Sequence, residues 1–265
     1  MRVFPVLFGG WINQNTQQPL VKDESKRSKN VKSMSEINTH EERDDTEEQL
    51  KLWRGAEKKA PWHDPPPKVK VTTLEGICFI DMELILGLPP QAAYNVLTNP
   101  DNQPYSRIIN GRELIHNKSR KVVTNDESGY FVEKEKDVAW NVLWWSRAIP
   151  ITFVFAENQK DLSAVYMKKK MMFMKDFEGS WQVEPIFVDS QRLCKHRLPK
   201  SQEDYRQCSG GQGKIASKVK MNLTFMPSSP FNLPPVSWYI RGIVIKTTKT
   251  LLQDLQATCA RIRGA

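Results

Sequence analysis

Four histidines, four cysteines and scattered carboxylates are the side chains of this sequence able to move protons, hold a metal or attack a carbonyl. Their spacing argues against most such chemistry. His40 and His63 stand in polar or Pro-flanked surroundings, and His116 and His196 fall in or beside strand-like stretches. None has a second acid or base at a fixed spacing, as a general base or metal site would need. Cys78, Cys194, Cys208 and Cys259 form no CxxC pair and sit near no spaced histidines. They signal neither a zinc site nor a disulfide framework, and a reducing compartment is the simplest reading. A phosphate-binding loop, a nucleophile elbow, HExxH and a dinucleotide fingerprint are all missing. Gly210-Gly211-Gln212-Gly213 lacks the strand-to-helix setting in which glycines cradle a phosphate, so it reads as a turn. No metal and no cofactor is expected. An enzyme here would need an interior acid, and Glu133, Asp137 and Glu184 are the candidates, although alternation places each more easily toward solvent.

The stronger signal is apolar. Trp140, Trp144, Phe153, Phe155, Met167 and Met171 fall on the inward-predicted face of alternating stretches, and Phe173, Trp181 and Phe225 continue that face further along. The opposite wall is a helix. From Val236 onward Ile240, Val244, Leu251, Leu255 and Ile262 recur at steps of three, four and seven, with Thr247 and Thr258 in the same series. Taken singly, each large side chain is explained by core packing. Taken as a set between a curved sheet and one helix, they would bound an apolar cavity for a hydrophobic small molecule, with methionines adapting its walls. Gly242 and Thr247 would thin the helix where a ligand lies, unless Gly242 only permits close packing.

The elements that must position these residues follow from local pattern. At 265 residues and 39% hydrophobic, the chain can bury one sizeable core with an appendage. Residues 12–44 are polar and mixed in charge, so 1–44 is expected to be a disordered arm. Asp45 or Thr46 could cap a short helix over about 46–58 that turns Leu50 and Trp53 to one face, and a Pro-rich connector completes the segment 45–68. The main domain is 69–265. It opens with a half-buried strand in which Asp81 and Glu83 oppose Ile80, Met82 and Leu84. A helix starting at Pro90 stops before Pro100, and a helical or irregular piece follows over 101–109. About six strands come next. In the long stretch from Tyr130, the charges Lys134-Glu135-Lys136-Asp137 interrupt the even face, which reads as a bulge or a strand end. On the return strand Val165, Met167, Met171 and Phe173 are expected inward, and residues 198–213 are expected to be an exposed loop. The final strand alternates Ile215, Val219, Met221, Leu223 and Phe225 against Lys214, Lys218, Lys220, Asn222 and Thr224.

A strand, short helices, further antiparallel strands and a long final helix define an α+β chain whose sheet needs cover from the last helix. This order resembles the helix-grip fold of the START-like superfamily, which includes lipid-transfer domains, coenzyme-Q-binding proteins and polyketide cyclases. Locally, Gln49-Leu50-Lys51-Leu52-Trp53, Trp62-His63-Asp64-Pro65-Pro66, Leu88-Pro89-Pro90 through Asn102, and Phe177-Glu178-Gly179-Ser180-Trp181-Gln182-Val183-Glu184-Pro185 resemble the plant family called domain of unknown function 220. The resemblance covers about 45–262. It implies a curved antiparallel sheet wrapped around the C-terminal helix and a ligand-binding role, with no catalytic set to carry over.

The expected function is therefore binding or transfer of a lipid, sterol or isoprenoid-like molecule, with its entrance near 227–235. The alternatives are a cyclase or hydrolase, or a protein or RNA interaction module. Net charge is +9, and residues 1–68 carry 12 Lys/Arg against 11 Asp/Glu, so the main domain is the basic part. Lys168, Lys170, Lys218 and Lys220, all predicted outward, could draw it to anionic membrane. A nucleic-acid partner is not expected, and a monomer is. No apolar run reaches the length of a membrane span, and Val3 to Trp11 is too short and too broken for a secretory signal. Cytoplasm is the expected compartment, with nucleus and plastid as alternatives.

Overall fold

The computed structural model describes residues 28–99, 108–109, 112–113, 115–126, 129–142, 145–195 and 198–264. Its backbone divides into residues 1–44 and 45–265. Helix α1 (Ser28–Glu57) reaches back into the stretch expected to lack structure. Neither proline nor glycine occurs before Gly55 to interrupt it.

In the second unit, β1 (Lys68–Leu74) and β2 (Ile77–Leu86) form a hairpin. Its two turn residues, Glu75 and Gly76, both have positive φ, at 51° and 83°, the turn geometry whose twist matches that of paired strands. Helix α2 (Pro90–Thr98) begins on Pro90, which needs no amide partner in a first turn, and ends ahead of Pro100. The two-residue strands β3 (Ile108–Ile109) and β4 (Arg112–Glu113) pair with each other. The rest of the predicted 101–109 piece lies outside the described residues, as does His196. Then come β5 (Ile115–Asp126), β6 (Gly129–Val142), β7 (Trp145–Asn158), β8 (Ser163–Met171) and β9 (Met174–Phe187). Two short helices, α3 (Ser190–Leu193) and α4 (Gln202–Cys208), precede β10 (Ile215–Pro227) and α5 (Val236–Arg263).

Eight strands make one antiparallel sheet in the order β1-β2-β10-β9-β8-β7-β6-β5. The last strand is thus inserted beside the second, and the 28-residue α5 follows directly from it. Side chains of β2, β9 and β10 meet α2 and α5 in the main core, around Ile80, Leu84, Val219, Leu223 and Leu255. This is the expected helix-grip arrangement, and its cause is the alternation on β2 and β10: their odd or even apolar sets need a covering face, and α5 presents one.

Several residues of the N-terminal helix and the Pro-rich connector anchor the ends of that helix and sheet rather than do chemistry. Trp53 is fully buried, and its indole Nε1 donates to the Ile215 carbonyl at 2.9 Å. Gln49 accepts from the Ile215 amide at 2.9 Å and donates to the Gly213 carbonyl at 3.1 Å. Asp64 of the connector accepts from the Trp62 indole and the Gly87 amide, both at 2.8 Å, and from Arg263 at 3.0 Å. Arg263, 1% exposed at the end of α5, also faces Glu57 at 3.5 Å. The connector is a clamp on the C-terminal end of α5.

The segment 198–213 is not a featureless loop. Ser201 Oγ accepts the Asp204 amide at 3.0 Å and starts α4, with Glu203 and Asp204 in the first turn, where a helix favours negative charge. Tyr205 is fully buried against Phe187, Cys194 and Ile215, and its hydroxyl donates to the Val188 carbonyl. Cys194 and Cys208 are joined as a disulfide with Cα atoms 5.2 Å apart. This corrects the reading that the cysteine spacing signals no disulfide. The 14-residue separation carries no motif, and only the chain reversal between α3 and α4 brings the two together.

Candidate ligand cavity

The inward face of the sheet and one side of α5 enclose a cavity of about 260 Å³. Its walls come from nearly every strand: Met82 on β2, Ile115 on β5, Phe153 and Phe155 on β7, Phe177 and Trp181 on β9, and Met221 and Leu223 on β10. Helix α5 closes it with Ile243, Val244, Thr247, Thr248, Leu251 and Leu252. That is somewhat below the roughly 300–1,000 Å³ usual for small-molecule sites, which restricts the space to a compact ligand.

The aromatic wall is built by register. Phe155 pairs with Tyr166 across β7 and β8, and Tyr166 pairs with Gly179 across β8 and β9. A methyl group on Gly179 would stand 2.5 Å from the Tyr166 hydroxyl, so the missing side chain is what lets this ring lie on the sheet. Phe153 then packs on Phe155 at 6.0 Å, on Tyr166 at 6.0 Å and on Phe177 at 5.6 Å between ring centres.

Of the residues expected to form the cavity, Phe153, Phe155, Met171, Trp181, Val244 and Leu251 line it. Phe225 and Ile240 are buried in the adjoining core instead. Met167 is 37% exposed and Val165 46% exposed, on the outer face. The cause is a register shift at Thr152/Phe153, where Lys170 pairs with Thr152 but Lys168 pairs with Phe153. The extra residue, Lys169, reverses the alternation, so Tyr166 and Met171 point inward while Met167 does not. Phe173 sits in the turn between β8 and β9 with φ of 64° and packs edge-on against Phe231, with ring centres 4.8 Å apart. Trp144 and the side chain of Trp140 lie outside the described residues. Gly242 is exposed, and a Cβ there would meet nothing within 4 Å. It neither thins the cavity wall nor allows a close approach.

Sequence reasoning passed over the two most polar wall residues. Lys134 and Lys136 both line the cavity. The pairing of β6 with β7 runs without interruption from Tyr130 to Val142, so the charge cluster is neither a bulge nor a strand end there. In the pairing of β5 with β6, however, one of the two register shifts does fall at the cluster: Asn117 faces Lys136 and Ser119 faces Glu135, with Lys118 the extra residue on β5. Unbroken alternation from the buried Val132 carries Lys134, Lys136 and Val138 inward. Parity alone would have found them. Lys134 donates to Glu157 at 2.5 Å, with both side chains more than nine-tenths buried, and its ammonium lies 4.5 Å from the centre of the Phe155 ring. Arg120 approaches the same carboxylate at 3.9 Å. Burial pushes the Lys136 ammonium down to about 8, repulsion from Lys134 adds to this, and Glu157 opposes it. Burial also lowers Lys134, against the attraction of Glu157.

The candidate acids take no part in the cavity wall. Glu133 pairs with Lys169 at 2.8 Å, Asp137 with Lys118 at 3.0 Å and Glu184 with Lys220 at 2.6 Å. The supposed membrane-facing lysines are also partly spoken for. Lys218 meets Glu83 at 3.0 Å, and Lys168 donates to the Met174 carbonyl at 3.0 Å, while Lys170 is exposed. Among the described residues no group of three His, Cys, Asp or Glu side chains could hold a metal, and no helix is long and apolar enough to cross a membrane.

An eight-stranded antiparallel sheet gripping a C-terminal helix, with a largely apolar cavity between them, is the helix-grip fold. Residues 68–265 match the model of the family described as domain of unknown function DUF220, and the chain belongs to that family. Among curated proteins none matches its sequence. Solved structures to which it is similar include the Zhui aromatase/cyclase from Streptomyces sp. R1128, at 10% identity and TM-score 0.45, covering 70% of this chain and 94% of that one. A START superfamily protein from Mycobacterium smegmatis matches at 8% identity and TM-score 0.41, covering 69% and 98%. A protein from Thermus thermophilus matches at 13% identity and TM-score 0.39, covering 70% and 96%.

Proposed function

We infer that this protein binds a hydrophobic small molecule, of lipid, sterol or isoprenoid type, in the cavity between the sheet and α5, and carries or stores it away from water. The observation that supports this most is the cavity itself: about 260 Å³ left open beneath a ring of Phe153, Phe155, Tyr166, Phe177 and Trp181, where a filled core would leave no room. Apolar walls of this kind stabilise a ligand by about 25 cal/mol for each Å² of its apolar surface taken from water. Leu233 and Trp238, 63% and 65% exposed beside the start of α5, offer apolar contacts through which such a molecule could arrive from a membrane surface. A carboxylate-driven cyclase is less well supported, since Glu133, Asp137 and Glu184 are committed to lysines outside the cavity.

The test is to purify the protein from its native source under non-denaturing conditions, extract the bound material and identify it by mass spectrometry, beside Val244→Trp. The indole should occupy the space beside Thr247 and Leu251 and lower bound ligand at least tenfold while leaving the fold intact. Equal ligand content in the folded variant, or a wild-type protein that carries nothing and takes up no apolar probe, would sink this reading.

A further inference from the structure

Three turns meet where α5 begins, and each shows large apolar side chains to solvent. Leu74 at the β1–β2 turn is 63% exposed and Met172 in the β8–β9 turn 50%, while Leu233, Val236 and Trp238, ahead of and within the first turn of α5, are 63%, 44% and 65% exposed. Contacts hold these turns together. The Ser228 amide donates to the Phe173 carbonyl at 2.9 Å, and Phe231 packs on the Phe173 ring. On the other side, Arg241 Nη2 donates to the Gly76 carbonyl at 3.1 Å and to Asn232 Oδ1 at 2.7 Å, which ties the β1–β2 turn to the segment before α5. Ser237 and Ile240 are buried, so α5 itself sorts its first residues into a covered side and an apolar side that faces out. Large apolar side chains gathered at one end are unlike the singly scattered ones of an ordinary surface. The charged residues of segments 74–76, 168–176 and 228–241 are Lys168, Lys169, Lys170, Lys175 and Arg241 against Glu75 and Asp176. Lys169 is paired with Glu133, whereas Lys170 and Lys175 are exposed and both acceptors of Arg241 are uncharged. This end is therefore both apolar and basic.

We propose that this end of the molecule docks on an anionic lipid bilayer, with Leu233, Val236 and Trp238 inserted among headgroups and upper acyl chains, Leu74 and Met172 beside them, and Lys170 and Lys175 on lipid phosphates. The inference goes beyond the reading of the cavity and does not depend on what the cavity holds. The mixture of side chains favours a bilayer over a protein partner. Apolar residues carried on separate turns need no complementary groove in a fluid interface, and an indole suits that interface with its ring in the apolar layer and its N–H in the wet one. Lysine is depleted at protein interfaces, whereas near an anionic lipid surface each basic residue strengthens binding about fivefold. The excess of base over acid at these turns sets the sign of the lipid charge. Lys218 and Lys220 of β10 stand apart from this surface, paired with Glu83 and Glu184. The cavity lies behind the same turns: Met171, next to Met172, lines it, and so does Val244, within two turns of Trp238 along α5. Docking in this way brings the cavity wall to the membrane surface.

The experiment measures sedimentation of the whole chain with vesicles of phosphatidylcholine alone and of phosphatidylcholine mixed with phosphatidylserine, beside Leu233→Ala combined with Trp238→Ala, and Lys170→Gln combined with Lys175→Gln. Wild type should bind the mixed vesicles at least tenfold more tightly than the neutral ones, and brominated acyl chains should quench its tryptophan fluorescence more than that of Trp238→Phe. The alanine pair should weaken binding to the mixed vesicles at least tenfold, with an unchanged melting temperature, since both side chains are exposed. The glutamine pair should weaken binding to the mixed vesicles alone, by about fivefold for each lysine removed. A wild-type chain that binds neither vesicle, or both equally, would overturn the inference, and this arm depends on no variant. So would an alanine pair that binds as wild type does, or a wild-type dimer that this pair turns into a monomer without any vesicle binding, which would assign the surface to a second copy of the chain. Vesicle binding by a protein whose cavity carries nothing and takes up no apolar probe would leave this inference standing and sink the cavity reading alone.

Discussion

Replacing Lys136 by methionine should change the stability of the protein in a way that depends on pH, and the size of the change follows from the burial of the ammonium. In the folded chain Lys136 titrates at about 8 against 10.5 for an ordinary lysine. A depressed lysine binds its proton more weakly when folded, so the unfolded chain holds more protons between those two values and stability rises with pH across them. Each tenfold difference in proton affinity is about 1.4 kcal/mol, so at pH 7 the charged Lys136 costs the fold about 3 kcal/mol relative to its neutral form. By pH 9.5 roughly 2 kcal/mol of that cost is relieved. Methionine keeps the length and apolar stem of lysine and never carries the charge. The advantage of Lys136→Met over wild type, measured by urea unfolding without ligand, should therefore shrink by about 2 kcal/mol from pH 7.0 to pH 9.5. Cys259 and Tyr205, both pushed up to about 12 by burial, also alter the pH profile, but they are present in both proteins and cancel in the difference. An advantage that stays constant within about 0.5 kcal/mol, or grows with pH, would refute the idea that Lys136 is held charged in an apolar wall.

Two further outcomes follow from buried contacts. Glu157→Gln leaves the Lys134 ammonium buried without its counter-charge and should destabilise the protein by about 3–5 kcal/mol, whereas combining it with Lys134→Met should recover most of that loss; a double variant no better than Glu157→Gln alone in thermal unfolding would show the pair to be unimportant. Reducing the Cys194–Cys208 bridge, which closes a 14-residue separation around the buried Tyr205, should cost about 3 kcal/mol and lower the melting temperature by roughly 5–10 °C, so reduced and oxidised protein melting together would count against the bridge as a structural element.

Local pattern carried much of the architecture. The alternation of Ile80, Met82 and Leu84, and of Val219, Leu223 and Phe225, needs only the two-residue period of a strand, and both sets are buried as that period demands. The stripe from Ile240 to Leu255 needs only the helical period, and Val244 and Leu251 of that stripe reach the cavity. Prediction failed where a partner strand altered the count. By its own alternation Met167 belongs inward, and the extra residue at Lys169, visible only in the pairing with β7, turns it out. The cap at Ser201 was legible, since a serine three residues ahead of an acidic residue starts many helices, but the surrounding polarity masked it.

What the sequence by itself determined is the sheet-and-helix architecture and the apolar character of the inward faces, because periodicity is a property of consecutive residues. What only the tertiary structure decided is which inward residues leave space between them, and what charge that space holds. Lys134 and Lys136 gain their meaning from a carboxylate 23 residues away from Lys134 and from a helix that begins only at Val236. A buried charge is defined by everything packed around it, and that is settled by register across several strands rather than by the pattern within one.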